Sequence, residues 1–257
     1  MTVTELYKFL EEAAPRALSA EWDNDGLACC ADPDKKVARV LVALDATEPV
    51  VNKAVSEKFD VLLTHHPLLF RGVKELTPAR CVPRKLLGLA LGGVSAMSFH
   101  TRLDAAKNGV NDVLASLLGL SDVRPFAPEG ETPCGRIGTL PAPVDMEAFS
   151  RTVCHLLGAP AVNVIGEGTA QTIAVLGGEG GDFVDAARAA GADLFLAGRI
   201  GYHRMLDAAE EGLCVMEAGH FYTERPVLTY LASLVKSADP AIEVEICDTP
   251  TIKTVTA

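Results

Sequence analysis

Apolar residues come along this chain in two forms, short unbroken runs and stretches with helical spacing. Residues 40–66, VLVALDATEPVVNKAVSEKFDVLLTHH, open on a run, pass a polar turn into a helical pattern and close on a second run. Unbroken rather than alternating runs are what strands covered on both faces look like. The segment predicts a strand, a helix and a second strand parallel to the first. Residues 173–199, IAVLGGEGGDFVDAARAAGADLFLAGR, predict the same unit again, with Asp60 and Asp193 both just before the second strand. A repeat of this kind predicts two α/β lobes of related plan.

The remaining pattern fills in around these units. An acidic amphipathic helix is expected over MTVTELYKFLEEAAP, a strand at 93–99 and a helix at Val110–Leu118. Residues 121–145 hold five prolines and PEGETP, which mark the connection between the lobes. Beyond them come a helix at Met146–Leu157, a helix at 201–211 and the strand LCVMEAG. HFYTERPVLTYLASLVKS is mostly helical, and IEVEICDTPTIKTVTA reads as a last strand. The expected domains are 1–125 and 126–257.

Open α/β sheets place ligands at the ends of their strands. Four of the six histidines stand just after an expected strand: His65 and His66, His100, and His220. Asp104 follows His100 by four residues, and Glu224 follows His220 by four. Successive side chains of an extended strand point to opposite faces. Two adjacent histidines therefore serve one place only if the chain turns there, or if two ions lie a few ångströms apart. Pro67 turns His66 away from helix and stiffens the bend. Pro226 fits the first turn of a helix, which puts Thr223 near its N-cap, Glu224 in its first turn and His220 on the loop before it. Mixed imidazole and carboxylate donors suit Zn, Fe, Mn, Co or Ni, and carboxylates bridge ions about 3.5–4 Å apart. Such a pair of ions supports hydrolysis near neutral pH. His155 and His203 fall on expected helices and read as structural or exposed.

Two other motifs bear on the reading. LGGEGGDF, 176–183, lacks the third glycine of a dinucleotide fingerprint, and no GK[ST] exists. It reads as a tight turn needing positive φ before it reads as a phosphate loop. EWDNDGLA, 21–28, reads as a capped turn around the lone Trp22, with Asp23, Asn24 and Asp25 as a weaker cation candidate.

Composition narrows the functional classes. A net charge of −11 without a Lys/Arg cluster excludes nucleic acid and anionic lipid as natural partners. No run approaches the roughly 20 apolar residues of a membrane span. The N-terminal pattern lacks the basic start and apolar core of a signal peptide, and seven cysteines without a CxxC pair read as small buried hydrophobes. A cytoplasmic location is the expectation.

The segments WDNDGLA, LLTHHPLLF, HTRLDAAKNGVNDVLASLLGL, LGGEGGDFVDAARAAGADLFLAGR and EAGHFYTERPVL, spread over residues 22–228, resemble those of the GTP cyclohydrolase 1 type 2 homologue family, also called NIF-three-like proteins. The resemblance implies an α/β fold of two intertwined lobes with mostly parallel central strands. It implies a dinuclear centre with His65, His66, Asp104, His220 and Glu224 as ligands of two divalent ions, and His100 close by as a neighbour or occasional ligand. It also implies a toroidal homohexamer with the metal sites facing an internal cavity, here in a short form without the domain some members insert. The sequence departs from the family pattern at Arg102, where Asn is frequent, at Arg199 in place of TGE, and at Asp25, where an apolar residue is common. Arg102 and Arg199 are expected to add positive charge near the cavity.

Three functions remain open at this point. The first is a metal-dependent hydrolase of a small nucleotide-like or phosphorylated molecule, with His100 as the proton shuttle. The second is a protein that stores, delivers or inserts metal. The third is a regulatory or scaffold protein stapled by its metals.

Overall fold

The computed structural model describes residues 1–128, 130–250 and 252–255. Glu129 of the proline-rich stretch and Thr251, Thr256 and Ala257 of the expected last strand lie outside the described residues. The chain divides into two compact units. One takes Met1–Ala106 and, after an excursion, Leu228–Thr249; the other is built on Lys107–Val227.

The first unit opens with α1 (Val3–Ala13), β1 (Gly26–Cys29), β2 (Arg39–Ala43) and α2 (Glu48–Ser56). It continues with β3 (Val61–Thr64), α3 (Cys81–Gly92), β4 (Ser95–Ser98) and α4 (Thr101–Ala105). The second unit holds α5 (Val110–Leu117), β5 (Ser121–Phe126), β6 (Gly135–Asp145), α6 (Met146–Leu157) and β7 (Asn163–Ile165). After these come β8 (Thr169–Glu179), α7 (Val184–Ala189), β9 (Leu194–Arg199), α8 (Tyr202–Glu210), β10 (Cys214–Glu217) and α9 (His220–Glu224). Then α10 (Val227–Ala238) and β11 (Glu243–Cys247) return the chain to the first unit.

Local chemistry starts the helices. Thr2 and Glu5 form a reciprocal capping box on α1, and Thr47 and Asp145 cap α2 and α6 with their side chains.

Each unit contains one sheet. The first runs β1-β4-β3-β2-β11, parallel except for β1, which pairs antiparallel with β4. The second runs β5-β6-β8-β9-β10-β7, with β8, β9 and β10 parallel and the others antiparallel. The central parallel strands β2, β3, β8 and β9 are largely buried on both faces, as their unbroken runs require, whereas the edge strand β11 is partly exposed. In β9, Leu194 and Leu196 enter one apolar cluster while Phe195 and Ala197 enter the other. In β2, Leu41 and Ala43 join a cluster under α2 and α3, and Val40 and Val42 are equally buried on the opposite face.

The repeat extends well beyond the βαβ unit. From α1 to α4 the order is αββαβαβα, and from α6 to α9 the order is the same. In each copy the strand before the βαβ unit (β1, β7) lines the outer edge of its last strand. The aligned aspartates also do the same work. Asp60 Oδ2 accepts from the backbone N–H of Ala38 and Arg39 at 2.8 and 2.9 Å. Asp193 Oδ2 accepts from Gln171 and Thr172 at 2.9 and 2.8 Å. Each carboxylate ties the start of its second strand to the start of its first.

Three expectations need correction. Residues 121–145 are not a bare connection: they form β5 and β6, an antiparallel pair of the second sheet. Their prolines do not break it, because β5 is an edge strand and the β6 pairing with β8 shifts between Thr139 and Val144, past Pro141 and Pro143. His220 does not precede its helix but begins it, with Gly219 rather than Thr223 at the N-cap. The seven cysteines are all free, but none is fully buried; six are half-buried and Cys81 is exposed.

Candidate functional site

In the first unit β3 ends at Thr64 and the chain bends. Thr64 Oγ1 donates to the His66 carbonyl at 2.7 Å, which holds the bend, while His65 N and His66 N still donate to Ala43 and Leu44. The bend meets the turn condition set by the sequence. The rings of His65 and His66 lie 4.8 Å apart, and His100, just past β4, is 5.3 and 5.4 Å from them. One ligand-type atom of each of the three lies within 4.8 Å of the others. Asp104, on α4, brings Oδ1 to 3.6 Å from His65 Nε2.

Each imidazole is held through Nδ1. That of His65, fully buried, donates to the Phe99 carbonyl at 2.9 Å, which fixes its tautomer. That of His66 meets Asp45 Oδ1 at 2.8 Å, and that of His100 meets both Asp23 oxygens at 3.1 Å. With Nδ1 engaged, Nε2 is the donor atom each ring presents to an ion. Histidine anchored by a carboxylate or carbonyl on its far side is the arrangement that orients metal ligands and raises their basicity. The donor set, imidazole with carboxylate, fits a first-row divalent ion.

WDNDG supplies the supports of this cluster. Asp23 also accepts from the Thr101 N–H and hydroxyl at 3.1 and 2.6 Å. Burial pulls its carboxyl upward, yet the bonds from His100 and Thr101 hold it down to about 2. Asp25 accepts from His100 N at 3.0 Å and from Arg102 Nε at 2.8 Å, and it pairs with Arg16. Asp23 and Asp25 therefore read as braces for the HTRLD turn, in line with the capped-turn reading. Arg102 departs from expectation. It is fully buried, bound to Asp25, Glu11, Tyr7 and the Ala14 carbonyl and stacked 4.4 Å over Phe99, so its charge is consumed inside the fold. Arg199 is exposed, 3.9 Å from Glu179.

In the second unit α9 carries His220 and Glu224 on one face, with His220 Nε2 at 3.2 Å from Glu224 Oε2. Glu224 is buried and His220 largely exposed. Glycines make room for this helix. Gly178 has φ +73°, and a Cβ there would collide with Glu224 Oε1 and stand 3.3 Å from His220 Cε1. LGGEGG is thus a turn of positive φ that lets the backbone approach α9. Gly177 N–H donates to Asn111 Oδ1 at 2.7 Å and Gly178 N–H to Thr223 Oγ1 at 3.2 Å, which ties that turn to α5 and α9.

The repeat explains the distribution of ligands. HTRLD and HFYTE, both histidine and acid four apart, occupy the same topological place after β4 and β10. Position 198, which corresponds to His65, admits no side chain: a Cβ would lie 2.6 Å from the Gly178 carbonyl and 2.7 Å from Thr223 Oγ1. The second unit cannot carry a His–His pair. His155 and His203 are exposed on α6 and α8.

Sequence reasoning missed Asp45, Asn111 and Thr223. Asp45 had a signal, since it ends the ALD run after β2. Asn111 and Thr223 had none, because their bonds go to the backbone of a distant turn.

Known proteins resemble this chain in sequence and in fold. Over 243 residues the chain is 32% identical to a Clostridium perfringens protein named GTP cyclohydrolase 1 type 2 homolog, covering 92% of each. It is 34% identical over 226 residues to a Methanocaldococcus jannaschii protein of the same name, covering 87% of this chain and 90% of that one. Among solved structures, a hypothetical protein of Staphylococcus aureus superposes with a TM-score of 0.89 at 26% identity and 99% of both chains. Reduced HcgD from Methanocaldococcus jannaschii superposes with a TM-score of 0.83 at 30% identity, covering 97% of this chain and 98% of that one. Residues 1–254 match the family described as Duf34/NIF3 (NGG1p interacting factor 3), and with these relatives along most of its length the chain belongs to that family.

Proposed function

We propose that this protein is a dinuclear metal-dependent hydrolase of a small nucleotide-like or phosphorylated substrate. His65, His66, Asp104, His220 and Glu224 are its ligands for two divalent ions drawn from Zn, Fe, Mn, Co and Ni. The observation that carries the reading is the anchoring of all three imidazoles of the first unit through Nδ1. Imidazoles held in direction through Nδ1 are what metal ligation uses at His65 and His66, and what a proton relay uses at His100.

Ions bound there would polarise a substrate oxygen and lower the pKa of a water. The chain's own contribution is placement and a proton relay. Asp23, ionised over the whole physiological range, favours a proton on His100 Nδ1 and so turns Nε2 into the acceptor. His66, held by Asp45, keeps its ring direction as substrate enters and leaves. Purine ring opening, the activity in the relatives' name, is one hydrolysis of this class. We place the protein in the cytoplasm as a homohexamer; free cysteines and a net charge of −11 are compatible with that, and no described helix is long and apolar enough to cross a membrane.

The test is turnover of GTP and simple phosphate esters by metal-loaded and chelator-stripped protein. The reading predicts activity that disappears on stripping and returns with one of the five metals. His100→Gln should keep the metal and lower kcat by about 10²–10⁴. Equal activity in stripped and loaded protein, or unchanged kcat in that variant, would overturn it.

A further inference from the structure

Trp22 and Phe70 are large aromatic side chains left 63% and 50% exposed beside a polar cluster. Their rings lie 5.8 Å apart, and those of Trp22 and Phe70 lie 6.0 and 6.4 Å from that of His100. The two are placed firmly. Asp23, next to Trp22, is buried and bound to His100 and Thr101. Asn24 Nδ2 donates to the Leu69 carbonyl at 2.6 Å, which ties the Trp22 turn to the Phe70 segment. The two rings are tilted 56° to one another, and each meets the His100 ring edge-on.

Phe70 also stands in the wall of a cavity of about 770 Å³ formed by residues 68–83. That volume is in the range of sites for small organic ligands. Its lining includes Arg71, Lys74 and Arg80 against a single carboxylate, Glu75, which pairs with Arg80 at 2.8 Å. In a chain of net charge −11 this is a local excess of positive charge. Two neighbouring aromatic rings, one of them lining a largely apolar cavity that also carries Arg71 and Lys74, fit a flat ring with an anionic group.

We propose that Trp22 and Phe70 are the stacking platform for a planar heteroaromatic ring whose anionic arm lies along Arg71 and Lys74, with the ring presented to His100. This rests on the hydrolase reading above and names the part of the substrate that reading leaves open. Stacking on an aromatic side chain contributes about 1–3 kcal/mol and tolerates different rings, so the platform selects flatness rather than one base. Arg71 and Lys74 supply the part of the binding that salt weakens.

Trp22 is the only tryptophan in the chain, so its emission reports the platform directly. Full-length protein, metal-stripped and metal-loaded, is titrated with guanosine monophosphate, adenosine monophosphate, adenosine and ribose 5-phosphate. Saturable loss of emission with both nucleotides in both metal states is expected. Adenosine should bind more weakly, and ribose 5-phosphate should leave emission unchanged. Phe70→Ala should raise the nucleotide Kd about tenfold, with Phe70→Tyr restoring it. Arg71→Ala with Lys74→Ala should bring the nucleotides down to the level of adenosine and remove the salt dependence. Quenching without any bound metal would uphold the platform while the metal reading fails. Bound metal with no saturable quenching would overturn the platform while the metal reading stands. The proposal would also fall if ribose 5-phosphate quenched as well as the nucleotides. A Trp22→Ala protein that sediments as a smaller species would overturn it too, since the rings would then cover a second copy of the chain.

Discussion

Three imidazoles of the first unit owe their direction to three different acceptors: the Phe99 carbonyl, Asp45 and Asp23. Asp45→Asn keeps the size of the side chain and removes its charge. Removal of such a support weakens metal binding by about 10–100-fold. Competition with a chelator should show that loss in the variant, while unchanged affinity would mean that His66 needs no anchor. Arg102 makes the opposite point. At that position the sequence suggested charge near the cavity, yet Arg102 is fully buried and binds Asp25, which accepts from His100 N. Arg102→Asn removes one of two guanidinium partners of the buried Asp25 carboxylate and leaves Arg16 in place, a change that costs about 1–3 kcal/mol. Chemical denaturation should show a loss of that order. Unchanged stability together with altered substrate preference would contradict the buried network. The residues proposed as ligands were legible because histidines after apolar runs are conspicuous. Their supports were not: Asp23 and His100 meet across 77 positions, and a pairing at that range leaves no local mark.

At the scale of elements, the βαβ units and most helices followed from periodicity, because parallel strands buried on both faces must be uniformly apolar. β5 and β6 did not. β5 is exposed along nearly its whole length, so it shows no buried face, and prolines suit its edge position. The three-residue β7 is too short to carry a period. The larger repeat was equally hidden, since β1 and β7 share no pattern although they hold the same place in their sheets. The aspartate clamps are its clearest common chemistry, and Asp60 gives them a pH signature. Burial raises its carboxyl, but Lys35 and the N–H groups of Ala38 and Arg39 outweigh that and hold it below the ordinary value of 3.8. A carboxyl whose pKa is lower in the folded state adds stability that is complete above its unfolded pKa. That stability is lost as pH falls through the folded one. Denaturant titrations of wild type should therefore show a stability loss below about pH 4 that Asp60→Asn lacks. Parallel acid limbs in the two proteins would contradict the clamp.

For the whole molecule, two units of one plan carry different side chains after corresponding strands. The first retained room for His65 and His66 at the end of β3. At the corresponding point the second has Gly198 and Arg199, with no space at position 198 for a side chain, and offers only the His220–Glu224 pair. At a net charge of −11 the chain gains from binding cations and repels polyanionic partners. The most direct measurement is metal content per chain, by elemental analysis of untagged protein, for wild type, His66→Ala and Glu224→Ala. About two ions per chain in wild type, with a sharp fall in each variant although the substitutions lie in different units, is the predicted result. Absence of bound metal after exposure to Zn, Fe, Mn, Co and Ni, or variants that each retain the full wild-type content, would contradict it.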